Sequence, residues 1–277
     1  MIEKSIGVFD SGIGGLTVYK SIRANLPKES IIYLGDTARI PYGTRSPATV
    51  RRYAYQDAAF LSRQNIKMLI IACNTISSIA MELLKESFPI PILGVIEPGA
   101  REAVRTSKNG RIGVIATEAT VESGAYTKAI EAINPNVSVY AKACPLFVAL
   151  AEEGWHNHSA TRLIASEYLA PLQEMEIDTL VLGCTHYPLL KNVIQSVVGS
   201  HVNLIDSGEC VAKEVTTLLN KSEETDLENK ATDIFYVTDS GKRFCRIAEL
   251  FLGKPLENLI AVDIWEANAE AKTDPNW

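Results

Sequence analysis

The sequence predicts an α/β protein of two pseudo-symmetric domains, each a mostly parallel sheet flanked by helices, with an active site in the cleft between them. Short runs rich in β-branched residues alternate along the chain with segments whose apolar residues recur at helical spacing. Most of these runs are continuously apolar, which is typical of strands covered by helices on both faces. Two parts of the chain also resemble each other, which indicates a duplicated unit.

The predicted elements follow this alternation. Strands are expected at Ile6–Phe9, Ile31–Leu34, Met68–Ala72, Ile90–Val95, Arg111–Ile115, Val137–Ala141, Thr179–Leu182, Val202–Ile205 and Ile234–Val237. Helical spacing is clearest over Val50–Asn65 and Ala160–Met175. Because a βαβ order requires crossover connections, the strands should be mostly parallel.

The chain can cross between the two units at two points, near residue 95 and near residue 208, and these points define the expected domains. Residues 1–95 and 208–277 should form the first domain, and residues 96–207 the second. The charged run Lys221–Asp233 should be an exposed loop or helix end, and the tail from Ala267 to Trp277 should be peripheral.

Composition excludes several classes of protein. The chain has 277 residues, of which 47% are hydrophobic and 22% charged, so it can bury a large core without disulfides or a structural metal. A net charge of −6 and the absence of a basic, aromatic-rich cluster argue against nucleic acid as a ligand. There is no signal-peptide pattern, no apolar run long enough to cross a membrane, and no disulfide spacing among five cysteines. A reducing cytoplasm is therefore the expected location.

Cys73 and Cys184 stand out because they occupy matching positions in the two units. Each follows a buried strand and directly precedes a helix. Ligands of open α/β sheets bind at the carboxyl ends of strands, and a helix N-terminus favours a thiolate. A single free cysteine is more often a small buried hydrophobe. The matched pair nevertheless favours a chemical role.

Two thiols on opposite sides of a cleft can invert a stereocentre, because one removes a proton from Cα and the other returns one to the opposite face. A free thiol is little ionised at neutral pH, so each needs neighbouring acid–base groups. Asp10 follows a strand that should end beside Cys73. His186 stands two residues after Cys184, and Glu152 and Glu153 could supply a carboxylate to that side. Without such a site, His186 would be a packed or capping residue and Glu152 a solvated one.

Other readings of the same residues stay open. The loop Gly12–Gly15 imitates a dinucleotide site, but Thr17 stands where that motif needs glycine, which argues against NAD. No cysteines are spaced as metal ligands, so no metal is expected. Cys184 and His186 could instead serve a thiol hydrolase, although this leaves Cys73 and the duplication without a role. A pure binding protein is a third alternative. The polar residues at helix starts suit a carboxylate ligand, and they are equally ordinary N-caps.

Several motifs together resemble those of the glutamate racemases, within the aspartate/glutamate racemase family. The resemblance runs from about residue 5 to 265 and rests on Gly7–Thr17, Leu34–Arg39, Pro41–Gly43, Ala72–Thr75, Cys144–Val148 with Glu152, Leu182–Leu190 and Leu204–Gly208. The Cys-Asn-Thr and Gly-Cys-Thr-His-Tyr-Pro segments are the most specific of these.

The resemblance implies a cofactor-independent racemase that interconverts L- and D-glutamate and supplies D-glutamate for peptidoglycan, hence for cell-wall biogenesis and cell shape in bacteria. Cys73 and Cys184 would be the two acid/base thiols, with Asp10 beside Cys73, and Glu152 and His186 beside Cys184. The Cys73 position deprotonates D-glutamate in the family, and the Cys184 position L-glutamate. Substrate would bind at Ser11, Tyr42, Gly43, Asn74, Thr75, Thr117, Thr120 and Thr185. Neither pyridoxal phosphate nor a metal is implied, and a homodimer is a further expectation.

The chain departs from the family pattern at two positions. Ala149 stands where proline is expected, and Glu97 where many members are apolar. Aspartate racemases share the fold and the cysteine pair, so an aspartate racemase remains an alternative.

Overall fold

The computed structural model describes residues 4–219, 231–239 and 241–265. Its strands are β1 (Ser5–Asp10), β2 (Ile31–Gly35), β3 (Ile66–Ile71), β4 (Ile92–Gly94), β5 (Arg111–Ala116), β6 (Ser138–Ala143), β7 (Thr179–Gly183), β8 (Asn203–Asp206), β9 (Ile234–Val237) and β10 (Leu259–Ala261). Its helices are α1 (Leu16–Asn25), α2 (Pro47–Ser62), α3 (Asn74–Ile79), α4 (Met81–Ser87), α5 (Ile96–Thr106), α6 (Glu118–Ser123), α7 (Ala125–Ile133), α8 (Leu146–Glu152), α9 (Ser159–Glu174), α10 (Lys191–Val198), α11 (Ser207–Leu219) and α12 (Gly241–Leu252), with a 3-10 turn at Tyr187–Leu190.

The strands form two sheets. A six-stranded sheet has the order β10-β9-β2-β1-β3-β4, and a four-stranded sheet has the order β6-β5-β7-β8. Each strand pairing recorded for the described residues is parallel. The predicted α/β class with two parallel sheets is therefore confirmed.

The two sheets repeat one arrangement. The order β2-β1-β3-β4 in the first sheet matches β6-β5-β7-β8 in the second. Gly7 in β1 lies opposite Leu69, and Gly113 in β5 lies opposite Leu180. A Cβ at either glycine would lie within 3.0 Å of an isoleucine Cδ1, that of Ile66 or of Ile177. The same close packing at equivalent positions supports the predicted duplication.

Helices cover both faces of each sheet. On one face of the six-stranded sheet, α1, α11 and α12 enclose a cluster that includes Ile6 and Val8, and on the other face α2, α3 and α4 enclose Phe9. The second sheet is likewise buried between α8, α9 and α10 on one face and α5 and α7 on the other. This burial on both faces explains why the strands are continuously apolar.

The prediction missed some features. The short strand β10 was not predicted, because three half-buried residues beside a single partner strand carry little pattern. Strand β6 is partly exposed and lies a residue or two later than expected. Helix α11 packs against α1, which covers the first sheet, and against α5, which covers the second. The expected domain boundaries at residues 95 and 208 therefore stay a prediction.

Two sequence expectations fall largely outside the described residues, namely most of the charged run 221–233 and the tail from 267 onward. Among the helices that the structure describes, none combines the length and apolar character needed to cross a bilayer.

Candidate active site

A cavity of about 340 Å³ opens where the strand ends of the two sheets face each other. Its wall includes Ser11 after β1, Cys73 after β3, Thr117 at the end of β5 and Cys184 after β7. The four central strands of the duplicated units thus each deliver a polar side chain to one space. This is the position at which parallel sheets bind ligands.

The Cys73 thiol lies in the N-cap position of α3 and is 6% exposed. Its Sγ lies 3.4 Å from the Ser11 hydroxyl. Burial and, to a smaller extent, the nearby Asp10 carboxylate together raise the pKa of Cys73 to about 12. Cys73 is consequently a neutral thiol at neutral pH, which is the form that can donate a proton.

Asp10 lies behind this thiol rather than in the cavity wall. It is 1% exposed, and one carboxylate oxygen accepts the Gly12 N–H at 3.0 Å. Burial raises the pKa of Asp10, while His186 and backbone N–H groups oppose the shift. Asp10 therefore lies near enough to Cys73 to affect the pKa of that thiol, but it does not line the cavity.

Cys184 has a different set of neighbours. Its Sγ lies 3.8 Å from Nδ1 of His186, and Nε2 of that ring lies 3.2 Å from a carboxylate oxygen of Glu152. Burial lowers the pKa of His186, but the hydrogen bonds to Cys184 and Glu152 outweigh it and raise the pKa to about 10. An imidazolium next to a sulfur stabilises negative charge there.

Most of the residues predicted to bind substrate line the cavity: Ser11, Tyr42, Gly43, Asn74, Thr75, Thr117 and Thr185. Thr120 does not line it, and instead its hydroxyl lies 3.3 Å from that of Thr75 and 3.0 Å from that of Thr117. It therefore orients two wall hydroxyls from behind.

Two of these wall residues have side chains already engaged elsewhere. The Tyr42 hydroxyl donates to the buried carboxylates of Asp36 and Asp57, so it does not offer a free donor to the cavity. Asn74 accepts a hydrogen bond from Tyr126 at 2.7 Å, whereas its buried Nδ2 has no hydrogen-bond partner. That amide nitrogen is an unpaired buried donor in a residue of the cavity wall.

The sequence analysis missed several wall residues. Ile13, Ile40, Pro41, Thr44, Glu118, Pro145, Val148 and Ala149 also line the cavity. Pro41, Pro145 and Val148 lie within motifs that resemble those of the racemases, so these motifs could have identified them as wall residues. Ala149, one of the two departures, thus borders the site. Glu97, the other, is an exposed residue 3.7 Å from Lys85 and lies outside the wall.

The cavity wall contains no lysine or arginine among the described residues. An anionic ligand would therefore be held by hydroxyls, amide groups and backbone N–H groups at helix starts. Among the described wall residues, His186 has the only cationic side chain. The described residues also contain no cluster of three or more His, Cys, Asp or Glu that could hold a metal ion.

A sequence profile described as Asp/Glu/Hydantoin racemase matches residues 6–215, which is more than half of the chain. The chain belongs to the Asp/Glu/Hydantoin racemase family. The match to this racemase family confirms the resemblance stated from the motifs.

Relatives within the family are close in sequence and structure. The glutamate racemase of Geobacter metallireducens is 49% identical over 272 residues, which cover 98% of this chain and 99% of that protein. The crystal structure of a Bacillus anthracis glutamate racemase is 39% identical with a TM-score of 0.91 and covers 95% of this chain and 98% of that one. The Francisella tularensis glutamate racemase, solved in complex with D-glutamate, is 42% identical with a TM-score of 0.89 and covers 95% and 98%.

An aspartate racemase from Picrophilus torridus is more distant. It is 18% identical with a TM-score of 0.55, and it covers 79% of this chain and 95% of its own. This likeness extends to the fold alone.

Proposed function

We propose that this protein is a glutamate racemase that interconverts L- and D-glutamate with two cysteines and no cofactor. The observation that carries the proposal is one cavity bounded by Cys73 from the first sheet and Cys184 from the second. The two thiols come from equivalent strand ends of a duplicated fold. Such an arrangement suits proton removal and return on opposite faces of one carbon.

The reaction is a balanced transfer of protons. With L-glutamate, the Cys184 thiolate takes the Cα proton, so that a C–H bond breaks, an S–H bond forms and the electron pair stays on the substrate, spread over Cα and its carboxylate. The Cys73 thiol then gives its proton to the other face of Cα and becomes the thiolate. D-glutamate follows the reverse route, in which Cys73 removes the proton.

The electrostatics of the site suit the L-to-D direction. Burial and Asp10 raise the pKa of Cys73 to about 12 and keep it a proton donor. His186, held between Cys184 and Glu152, places a positive charge beside the other sulfur. For D-glutamate a proton must first pass from the Cys73 thiol to the Cys184 thiolate, and His186, which contacts Cys184, can take part in that transfer.

Substrate binding would rest on neutral donors. Ser11, Asn74, Thr75 and Thr185 each place a hydroxyl or amide in the wall, and the buried Nδ2 of Asn74 lacks a partner within the protein. Binding the substrate carboxylate there spreads the negative charge that develops when Cα loses its proton. Preorganised donors of this kind supply a large part of enzymatic rate enhancement.

Glutamate is favoured over aspartate by the relatives. Proteins of 47–49% identity that cover nearly all of this chain are named glutamate racemases, whereas one aspartate racemase and one aspartate racemase homologue share 18% identity. The thiol-hydrolase alternative accounts for Cys184 and His186 but gives Cys73 no role in the shared cavity.

Polarimetry on L-glutamate, run beside L-aspartate, tests the proposal. We expect the rotation of L-glutamate to fall to zero without added cofactor. That of L-aspartate should change about 10- to 200-fold more slowly, since this is the cost of a misfit of one methylene. In deuterated water the Cα hydrogen of glutamate should exchange. Stable rotation with no exchange, or a covalent acyl group on Cys184 after incubation with amides, would contradict the proposal.

The product fits a role in bacterial peptidoglycan assembly, for which D-glutamate is the precursor that the family supplies. The homodimer and the cytoplasmic location expected from the sequence stay predictions. Size-exclusion chromatography with light scattering, and fractionation of cells, would test them.

A further inference from the structure

The glycine loop between β1 and α1, residues 12–15, has no role in the mechanism above, although its sequence imitates a dinucleotide site. In the structure it packs against the turn that follows Cys184 in the other sheet. Two residues make these contacts. Gly14 lies against the side chains of Thr185 and His186, and Thr17 donates a hydrogen bond to the carbonyl oxygen of Thr185.

Gly14 leaves space that the His186 ring occupies. A Cβ placed at Gly14 would lie 2.5 Å from both Nδ1 and Cε1 of His186, and closer still to the Thr185 hydroxyl. Real Cβ atoms do not approach other atoms so closely, so the ring or the loop would have to move. The φ angle of Gly14 is not in the positive range that favours glycine. This glycine is therefore required for the space that it leaves, and not for its backbone conformation.

Thr17 ties the same turn to the loop. Its hydroxyl lies 2.9 Å from the carbonyl oxygen of Gly14 and 2.9 Å from that of Thr185, and donates its proton between them. Thr185 is the residue between Cys184 and His186. The hydroxyl at the start of α1 thus restrains the backbone that carries both groups.

Phe251 of α12 closes another side of the ring. Its centroid lies 5.7 Å from that of His186 at an interplanar angle of 89°. Phe251 belongs to the core around the six-stranded sheet. The imidazole is therefore carried by one sheet and held in place by residues packed on the other.

We propose that Gly14 and Thr17 are positioning residues that hold His186 in line between Cys184 and Glu152. The ring must keep its two contacts, 3.8 Å to the sulfur and 3.2 Å to the carboxylate, at the same time. A displacement of about 1 Å removes at least one of them, and such misplacements cost up to about 100-fold in rate. The inference rests on the proposed function, in which Cys184 is an acid/base thiol.

The test compares Thr17→Val, Thr17→Ser and Gly14→Ala with Thr216→Val as a matched control. Thr216 is a half-buried helical threonine whose hydroxyl bonds a carbonyl of its own helix at 2.8 Å. Alkylation of the full-length enzyme by iodoacetamide is followed at each cysteine by peptide mass spectrometry, so that Cys73 in the same cavity serves as an internal reference. Rates of glutamate racemisation are measured in parallel.

We expect Thr17→Val to slow alkylation of Cys184 about three- to tenfold, the effect of one lost hydrogen bond, with Cys73 unchanged. The kcat should fall by a similar factor with little change in KM, and Thr17→Ser should restore both. Gly14→Ala should lower kcat by about 100-fold. Thr216→Val should behave as wild type.

Equal effects on Cys73 and Cys184, or a Thr17→Ser variant as impaired as Thr17→Val, would overturn the inference, because they indicate a general loss of structure. A wild-type protein that does not racemise glutamate, while Cys184 still responds selectively to Thr17→Val, would refute the proposed function and leave the positioning role standing.

Discussion

The two sides of the cavity are built on one backbone plan and equipped with different chemistry. Cys73 follows β3 and Cys184 follows β7, at equivalent places in two sheets of matching order. The carboxylate near Cys73 comes from the end of β1, where the second unit has Ala116 in place of Asp10. The imidazole near Cys184 stands two residues after it, where the first unit has Thr75.

This difference shows what a duplicated fold supplies to a two-base site. The repeated strand order delivers two sulfurs to opposite sides of one space. It does not deliver their partners, because the positions equivalent to Asp10 and His186 in the other unit are Ala116 and Thr75. Each thiol is therefore tuned separately. Burial and a nearby carboxylate raise the pKa of Cys73, while Cys184 has the His186 imidazole 3.8 Å from its sulfur.

The largest expected effect is the loss of either sulfur. Cys73→Ser and Cys184→Ser should each lower kcat for racemisation by about 10⁴-fold, because a hydroxyl is a far weaker base than a thiolate and the other face cannot compensate. Cys210→Ser, at a buried cysteine outside the cavity wall, is the control and should retain activity. Circular dichroism of racemising glutamate checks all three, and full activity in either active-site variant would remove that cysteine from the mechanism.

Asp10→Asn should act on the Cys73 side with a loss in kcat of about 100-fold. Proton transfer on that face then becomes slow, so L-glutamate should take up solvent deuterium at Cα faster than it inverts. Asp206→Asn is a matched control, since Asp206 also accepts a glycine N–H two residues on, at 2.8 Å, outside the cavity. Mass spectrometry of recovered L- and D-glutamate gives both rates. Exchange that keeps pace with inversion would show that Asp10 does not serve this face.

Glu152→Gln should act on the other face and give the mirror result. Because the glutamine side chain does not carry the charge that holds the His186 proton, we expect a loss of about tenfold in kcat. D-glutamate, whose proton leaves toward Cys73, should now exchange faster than it inverts. Glu153→Gln, at the exposed neighbour, should leave both rates unchanged. The comparison between the two sides fails if Asp10→Asn and Glu152→Gln produce the same asymmetry.

The smallest effect concerns stability and pH. The pKa of His186 is raised from 6.5 to about 10 in the folded protein, so its contribution is complete below pH 6.5 and is lost as the pH rises toward 10. The free energy of unfolding should fall by about 1 kcal/mol per pH unit between roughly pH 7 and 9. Cys73 adds to the fall only above its ordinary pKa of 9.0.

Urea unfolding at several pH values measures this slope. The variant His186→Asn should flatten it, and His201→Asn, at an exposed histidine, should not. An unaltered slope in His186→Asn would mean that its folded-state pKa is close to the ordinary value.

How much could be predicted depended on whether a feature is local. Continuous apolar runs identified nine of the ten strands of the described residues, while the three-residue β10 escaped. The cysteines were identified because strand, sulfur and helix start are adjacent in sequence. Thr120 was expected to touch substrate, whereas its hydroxyl contacts those of Thr75 and Thr117 and the residue does not line the cavity. The need for glycine at residue 14 could not be predicted from the sequence. The His186 ring that leaves no room for a Cβ there lies 172 residues away along the chain.

The sequence by itself determined the α/β class, the duplication and the two sulfurs at strand ends, because periodicity and strand-to-helix boundaries are properties of neighbouring residues. Only the tertiary structure decided which groups each sulfur meets. In the folded protein Asp10 is buried behind Cys73, and Glu152 contacts His186 although 34 residues separate them in sequence. The His186 ring also packs against Gly14 and Phe251. Burial and distance set the charge of each group, and both arise only when the two sheets pack around one cavity.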